Sequence, residues 1–120
     1  MKIGIDLDDT ICRTTEKVHN LLEEYAKKGN KSPIEIMNDE LEKEAFFKNY
    51  LEEIYKTVEI KRNVESVLRR LKNKGNKLYI ITARSPLSST GQDIQKITND
   101  WLEKNHILMD GLLMNCYGKS

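Results

Sequence analysis

Ile3-Gly4-Ile5-Asp6-Leu7-Asp8-Asp9-Thr10-Ile11 begins with an apolar run that reads as a buried strand and ends in three acidic residues. Strands buried on both faces of a parallel sheet read as near-continuous apolar runs. Taking carboxylates out of water without partners is costly. Asp6 and Asp8, two positions apart where such a strand ends, therefore point to chemistry. Paired carboxylates can hold a divalent cation and act on phosphate. The structural alternative is helix capping and turn formation, for which Asp is also favoured.

Working outward, residues 2 to 7 form the first predicted strand, and Val18, Leu21, Leu22 and Tyr25 predict a helix over 15 to 28 that Gly29 stops. Ser32-Pro33-Ile34-Glu35 matches a capping box with proline at the first helical position. A longer helix is expected over 39 to 56, with Phe47, Tyr50, Leu51, Ile54, Tyr55 and Val58 in one apolar stripe, either core or packed over a site. Asn63 can cap a helix carrying Val64, Val67, Leu68 and Leu71 up to Gly75, and Lys77 to Thr82 reads as a second buried strand. After a polar loop from Arg84 to Thr90, Ser89 and Gln92 can box a helix with Ile94, Ile97, Trp101 and Leu102. A third strand follows at about 111 to 115. Strands alternating with helices predict an α/β fold, a Rossmann-like parallel sheet wrapped by helices, with ligands beyond the carboxyl ends of the strands. Asp6, Thr82 and Lys119 fall at such ends.

The 120 residues suffice for one domain. A net charge of +1, with 32% charged residues of nearly balanced sign, gives no field suited to a nucleic-acid polymer or a membrane surface. Lys27-Lys28 and Arg69 to Lys74 read as solvated helix faces. Cys12 and Cys116 have neither disulfide-scaffold density nor zinc-site spacing, which fits a reducing cytosol, and Cys12 reads as a small buried apolar residue. His19 and His106 lack metal-ligand spacing and read as structural. No apolar run reaches membrane-spanning length and the first strand leaves no room for a signal peptide, so a soluble, cytoplasmic protein is expected.

Asp6-Leu7-Asp8-Asp9-Thr10 resembles the DxDxT signature of the haloacid-dehalogenase-like phosphohydrolase superfamily. Thr82 closing Ile80-Ile81-Thr82, and Lys119 in Gly118-Lys119-Ser120, fall where the family's threonine and lysine motifs stand. By their chemistry, Asp6 is the expected nucleophile, forming a phosphoaspartyl intermediate. Asp8, kept protonated by its neighbours, is the expected acid and base. The resemblance adds a Mg²⁺ held by the Asp6 carboxylate and the main-chain carbonyl of Asp8, and a phosphate site at Thr82, Ala83 and Lys119. Arg84 is either a further phosphate ligand or a surface arginine. Asp9 is divided between capping and a secondary role, and Thr10 orients the turn.

The match looks most like the bacterial nucleotidase branch related to cytosolic deoxynucleotidases. It implies a core of residues 1–12 and 63–120 with a helical cap insert at 13–62. Tyr25, Phe46, Phe47, Tyr50 and Tyr55 are candidates for stacking on a base, or for core. The implied function is hydrolysis of a small-molecule phosphomonoester, a 5'-nucleotide among the candidates, with phosphotransfer sharing the same first step. The family's fourth, acidic motif would follow the lysine and is not in this sequence. That leaves the sheet incomplete at its carboxyl end and predicts weak turnover. The alternative is an inactive or truncated fragment acting as a binding module, with self-association through the exposed sheet edge.

Overall fold

In the computed structural model, which describes residues 1–88 and 91–115, three parallel strands lie in the order β1 (Lys2–Asp6), β2 (Lys77–Ile81), β3 (Gly111–Leu113). Ile3 pairs with Leu78, Asp6 with Ile81, and Ile80 with Leu112. Between β1 and β2 come α1 (Thr14–Lys28), α2 (Pro33–Asn38), α3 (Glu40–Thr57) and α4 (Val64–Asn73), and α5 (Ile94–Lys104) links β2 to β3. The expected α/β sheet with flanking helices is present, with a third strand shorter than the sequence suggested.

One face of the sheet carries Ile3, Ile5, Leu78, Ile80 and Leu112, which pack with Val64, Leu68 and Leu71 of α4 and Trp101 and Leu102 of α5. Both helices therefore cover the same face. On the other face Lys2, Gly4, Asp6, Lys77, Ile81 and Leu113 are exposed among the described residues. The strands alternate in burial accordingly. The outer edge of β1 has no strand partner among the described residues.

A second apolar cluster is built from Leu21, Leu22 and Ala26 of α1, Ile36 of α2, and Phe46 and Ile54 of α3. Phe46 is fully buried, and the rings of Tyr25, Phe47 and Tyr50 pack around it at centroid distances of 5.4, 5.1 and 5.2 Å. Phe46 is core, and Tyr25, Phe47 and Tyr50 are partly buried against it. The Ser32–Glu35 capping box forms as read. Asn63 occupies the N-cap position of α4 in the left-handed region, at φ 67°, but its side chain makes no capping bond. Ser89 lies outside the described residues, and α5 is capped by Asp93, whose carboxylate accepts from the Lys96 N–H.

Candidate active site

Beyond Asp6 the chain turns on one acceptor. The carbonyl of fully buried Leu7 takes the N–H groups of Thr10, Ile11 and Cys12 at 3.3, 2.9 and 3.3 Å. Asp9 sits in the left-handed region at φ 65°, which Asp tolerates better than most residues. This backbone turn, rather than the exposed Thr10 side chain, aims Asp8 toward the end of β2.

Four side chains meet there around the Asp8 carboxylate. Arg84 grips it as a fork, with Nη2 donating to Oδ1 at 2.6 Å and Nε to Oδ2 at 3.1 Å. The Thr14 hydroxyl donates to Oδ1 at 2.6 Å and the Thr82 hydroxyl to Oδ2 at 3.3 Å. The fourth is Cys12, whose thiol lies 3.9 Å from Oδ1. Burial alone would raise the Asp8 pKa. The hydrogen bonds from Arg84 and Thr14, the Arg84 charge and the Thr82 hydroxyl outweigh it, and the carboxyl sits below its ordinary value. The expectation of an Asp8 kept protonated is therefore corrected, because its neighbours stabilise the carboxylate. Burial pushes the Cys12 thiol up, so it stays a thiol.

Arg84 is buried, at 7% exposure, which excludes the surface arginine of the sequence reading. Its Nη1 donates to the hydroxyl of fully buried Thr98 on α5 at 3.0 Å, and its guanidinium carbon lies 3.7 Å from the centroid of the Tyr55 ring on α3. Asp6, by contrast, is exposed, and its carboxylate makes no hydrogen bond or ion pair among the described residues. Asp9 turns away from this centre. Its carboxylate accepts from the N–H and hydroxyl of Thr15, in the first turn of α1, at 2.8 and 2.5 Å, which holds its pKa down. Ala83 is exposed between Thr82 and Arg84, and Lys119 lies outside the described residues. His19 pairs with Glu23 on the surface of α1, and His106 follows α5 on the surface.

Thr14 and Thr98 are the members of the cluster that sequence reasoning missed, while Tyr55, read as core or as packed over a site, lies against Arg84. Thr98 left a signal, a hydroxyl in line with Ile94, Ile97 and Trp101 on the inward stripe of α5. Two chain segments enter the site together: the Arg13 N–H donates to the Glu59 carbonyl and the Lys61 N–H to the Ile11 carbonyl, at 2.9 and 2.8 Å. This pairing ties the start of α1 to the stretch between α3 and α4. Among the described residues no group of three or more His, Cys, Asp or Glu side chains could hold a metal ion. No described helix is long and apolar enough to cross a membrane.

No family model and no curated protein matches the chain. The crystal structure of a hydrolase from Streptococcus pneumoniae TIGR4 superposes on it with a TM-score of 0.55 at 17% sequence identity. The match covers 94% of this chain and 65% of that one, so the chain spans just under two thirds of the length of its structural neighbour. At that identity the likeness establishes a shared fold, an open parallel α/β sheet.

Proposed function

We propose that this site hydrolyses phosphomonoesters through a phosphoaspartyl intermediate on Asp6. The observation that carries the reading is an Asp6 carboxylate at the end of β1, unpaired among the described residues, two positions from an Asp8 carboxylate held by Thr14, Thr82 and Arg84. Ligands of open α/β sheets bind at such strand ends, and the structural neighbour is a hydrolase. An Asp6 oxygen attacks phosphorus, the ester P–O bond breaks, and the leaving oxygen departs as an anion. Water then attacks the acyl phosphate, Asp8 takes the water's proton, and inorganic phosphate leaves as Asp6 is restored. The ionised Asp8 suits this second half. For the first half it favours leaving groups that depart as anions, so an aryl phosphate is the substrate of choice for the test.

The residues fit a Mg²⁺ ion of the sparsely liganded kind, which takes one or two carboxylates and keeps several waters. The Asp6 carboxylate and the Asp8 main-chain carbonyl would hold it, neither having a hydrogen-bond partner among the described residues. Once bound, such an ion neutralises the repulsion between a carboxylate and a phosphate dianion. The Thr82 hydroxyl and the Ala83 amide would hold phosphoryl oxygens, and Lys119 would add positive charge. The nucleotidase branch is the finer form of this proposal, and residues 13–62 are its substrate-selecting cap.

A non-catalytic binding module is the second reading, favoured by the outer edge of β1, which has no strand partner among the described residues. Hydrolysis of an aryl phosphate with and without Mg²⁺, in wild type and Asp6→Asn, separates the two. The enzyme reading expects metal-dependent turnover that falls at least ~10³-fold in the variant, as loss of a nucleophile does. Equal rates in both proteins would sink it.

A further inference from the structure

Arg84 is the one buried arginine among the described residues, and its bonding assigns it a role other than phosphate capture. Of the five N–H groups an arginine offers, Nε and Nη2 hold the two Asp8 oxygens, Nη1 holds Thr98, and Nη2 also faces the Cys12 thiol at 4.0 Å. One face of the guanidinium plane is closed by the Tyr55 ring. The fork that would grip a phosphate bidentately is already occupied by the Asp8 carboxylate. A phosphate could use it only by displacing a half-buried carboxylate that holds two N–H groups of the buried guanidinium.

We propose that Arg84 is a positioning residue for Asp8, its plane fixed by Tyr55 of α3 and Thr98 of α5, and that it receives no substrate phosphate. The proposal rests on the phosphomonoesterase reading for its kinetic consequences but not for its geometry. Tyr55 makes the aim of Asp8 depend on α3, a helix whose other buried residues, Phe46 and Ile54, belong to the second cluster. A carboxylate misplaced by about 1 Å can cost on the order of 10²-fold in rate. Lysine would keep the charge and lose the fork.

Two measurements test this. In steady-state hydrolysis of an aryl phosphate, Arg84→Lys and Tyr55→Leu are each expected to lower kcat, by on the order of 10²-fold for the lysine variant, with KM and the inhibition constant of inorganic phosphate held within about twofold. A rise of about tenfold or more in KM or in that inhibition constant, with kcat held, would overturn the proposal by making Arg84 a phosphate ligand. The second measurement needs no activity. In the wild-type protein the Arg84 Nε–H resonance should be protected from solvent exchange, lose that protection in Asp8→Asn, and stay fixed when inorganic phosphate and Mg²⁺ are added. Protection unchanged in Asp8→Asn, or a saturable phosphate-induced shift of that resonance, would refute the role. If the wild type neither turns over nor binds phosphate, the phosphomonoesterase reading fails and the exchange arm still decides the assignment of Arg84.

Discussion

At the scale of single residues, the contrast between Asp6 and Asp8 is made by their partners, since the two side chains are chemically identical. Asp8 is enclosed by an arginine fork and two hydroxyls, whereas Asp6 faces solvent. Gly4, two residues before Asp6 on the same open face, is a simpler case. A Cβ there would stand 2.5 Å from Cδ1 of Ile81, the far end of a side chain that is 44% exposed. Glycine within a strand costs roughly 0.5–1 kcal/mol relative to alanine, and displacing one terminal methyl costs a similar amount. Gly4→Ala is therefore expected to change unfolding free energy by less than about 1 kcal/mol in urea titration. A loss above about 2 kcal/mol would mean that this face is packed. Asp6, Asp8 and Thr82 were legible in the sequence because a strand end and a spacing of two are local patterns. The burial of Arg84 was not, because it depends on Tyr55 and Thr98, which lie in distant helices and which no local pattern links to it.

At the scale of elements, the helices were readable from apolar spacing, and their starts wherever a cap is self-contained, as in Ser32 to Glu35. The start of α5 was misread because Ser89 and Gln92 offered a box one turn too early, while Asp93 caps the helix. The short β3 depends on a contact the sequence does not announce. Asp110, the residue before it, accepts the Leu78 N–H at 2.7 Å and pairs with Lys72 of α4 at 2.9 Å. The Lys72 hydrogen bond and the Leu78 N–H hold its carboxyl below the usual 3.8. A depressed folded-state pKa stabilises above the unfolded value, and that stability is lost as pH falls through the folded one. Asp110→Asn is expected to lower the urea midpoint at neutral pH. The difference from wild type should shrink as the pH drops through 3.8 and vanish once Asp110 is protonated in both states. A difference that persists undiminished in acid would assign the effect to packing instead.

At the scale of the whole molecule, the two apolar clusters lie in a body 52 Å long with a radius of gyration of 16.0 Å. A compact chain of this length would have about 13–14 Å. The extended shape leaves α3 as a shared member. Its Phe46 and Ile54 belong to the second cluster, while Val58, just past its end, belongs to the first and accepts the Trp101 indole N–H at 2.8 Å. Because α3 and the paired segments at Arg13 and Lys61 all tie the clusters together, unfolding of one should carry the other. Trp101 is the only tryptophan and sits in the first cluster, whereas Phe46 is the centre of the second, so the two can be set against each other. Phe46→Ala is expected to cost about 3–5 kcal/mol and to lower the urea midpoint on the order of 2 M. Trp101 fluorescence and helical circular dichroism should shift together, since coincident transitions mark a single cooperative unit. If the fluorescence midpoint stays at the wild-type value while the dichroism splits into two steps, the clusters fold independently. The Tyr55 contact would then join two separately stable bodies, and the aim of Asp8 would follow their relative motion.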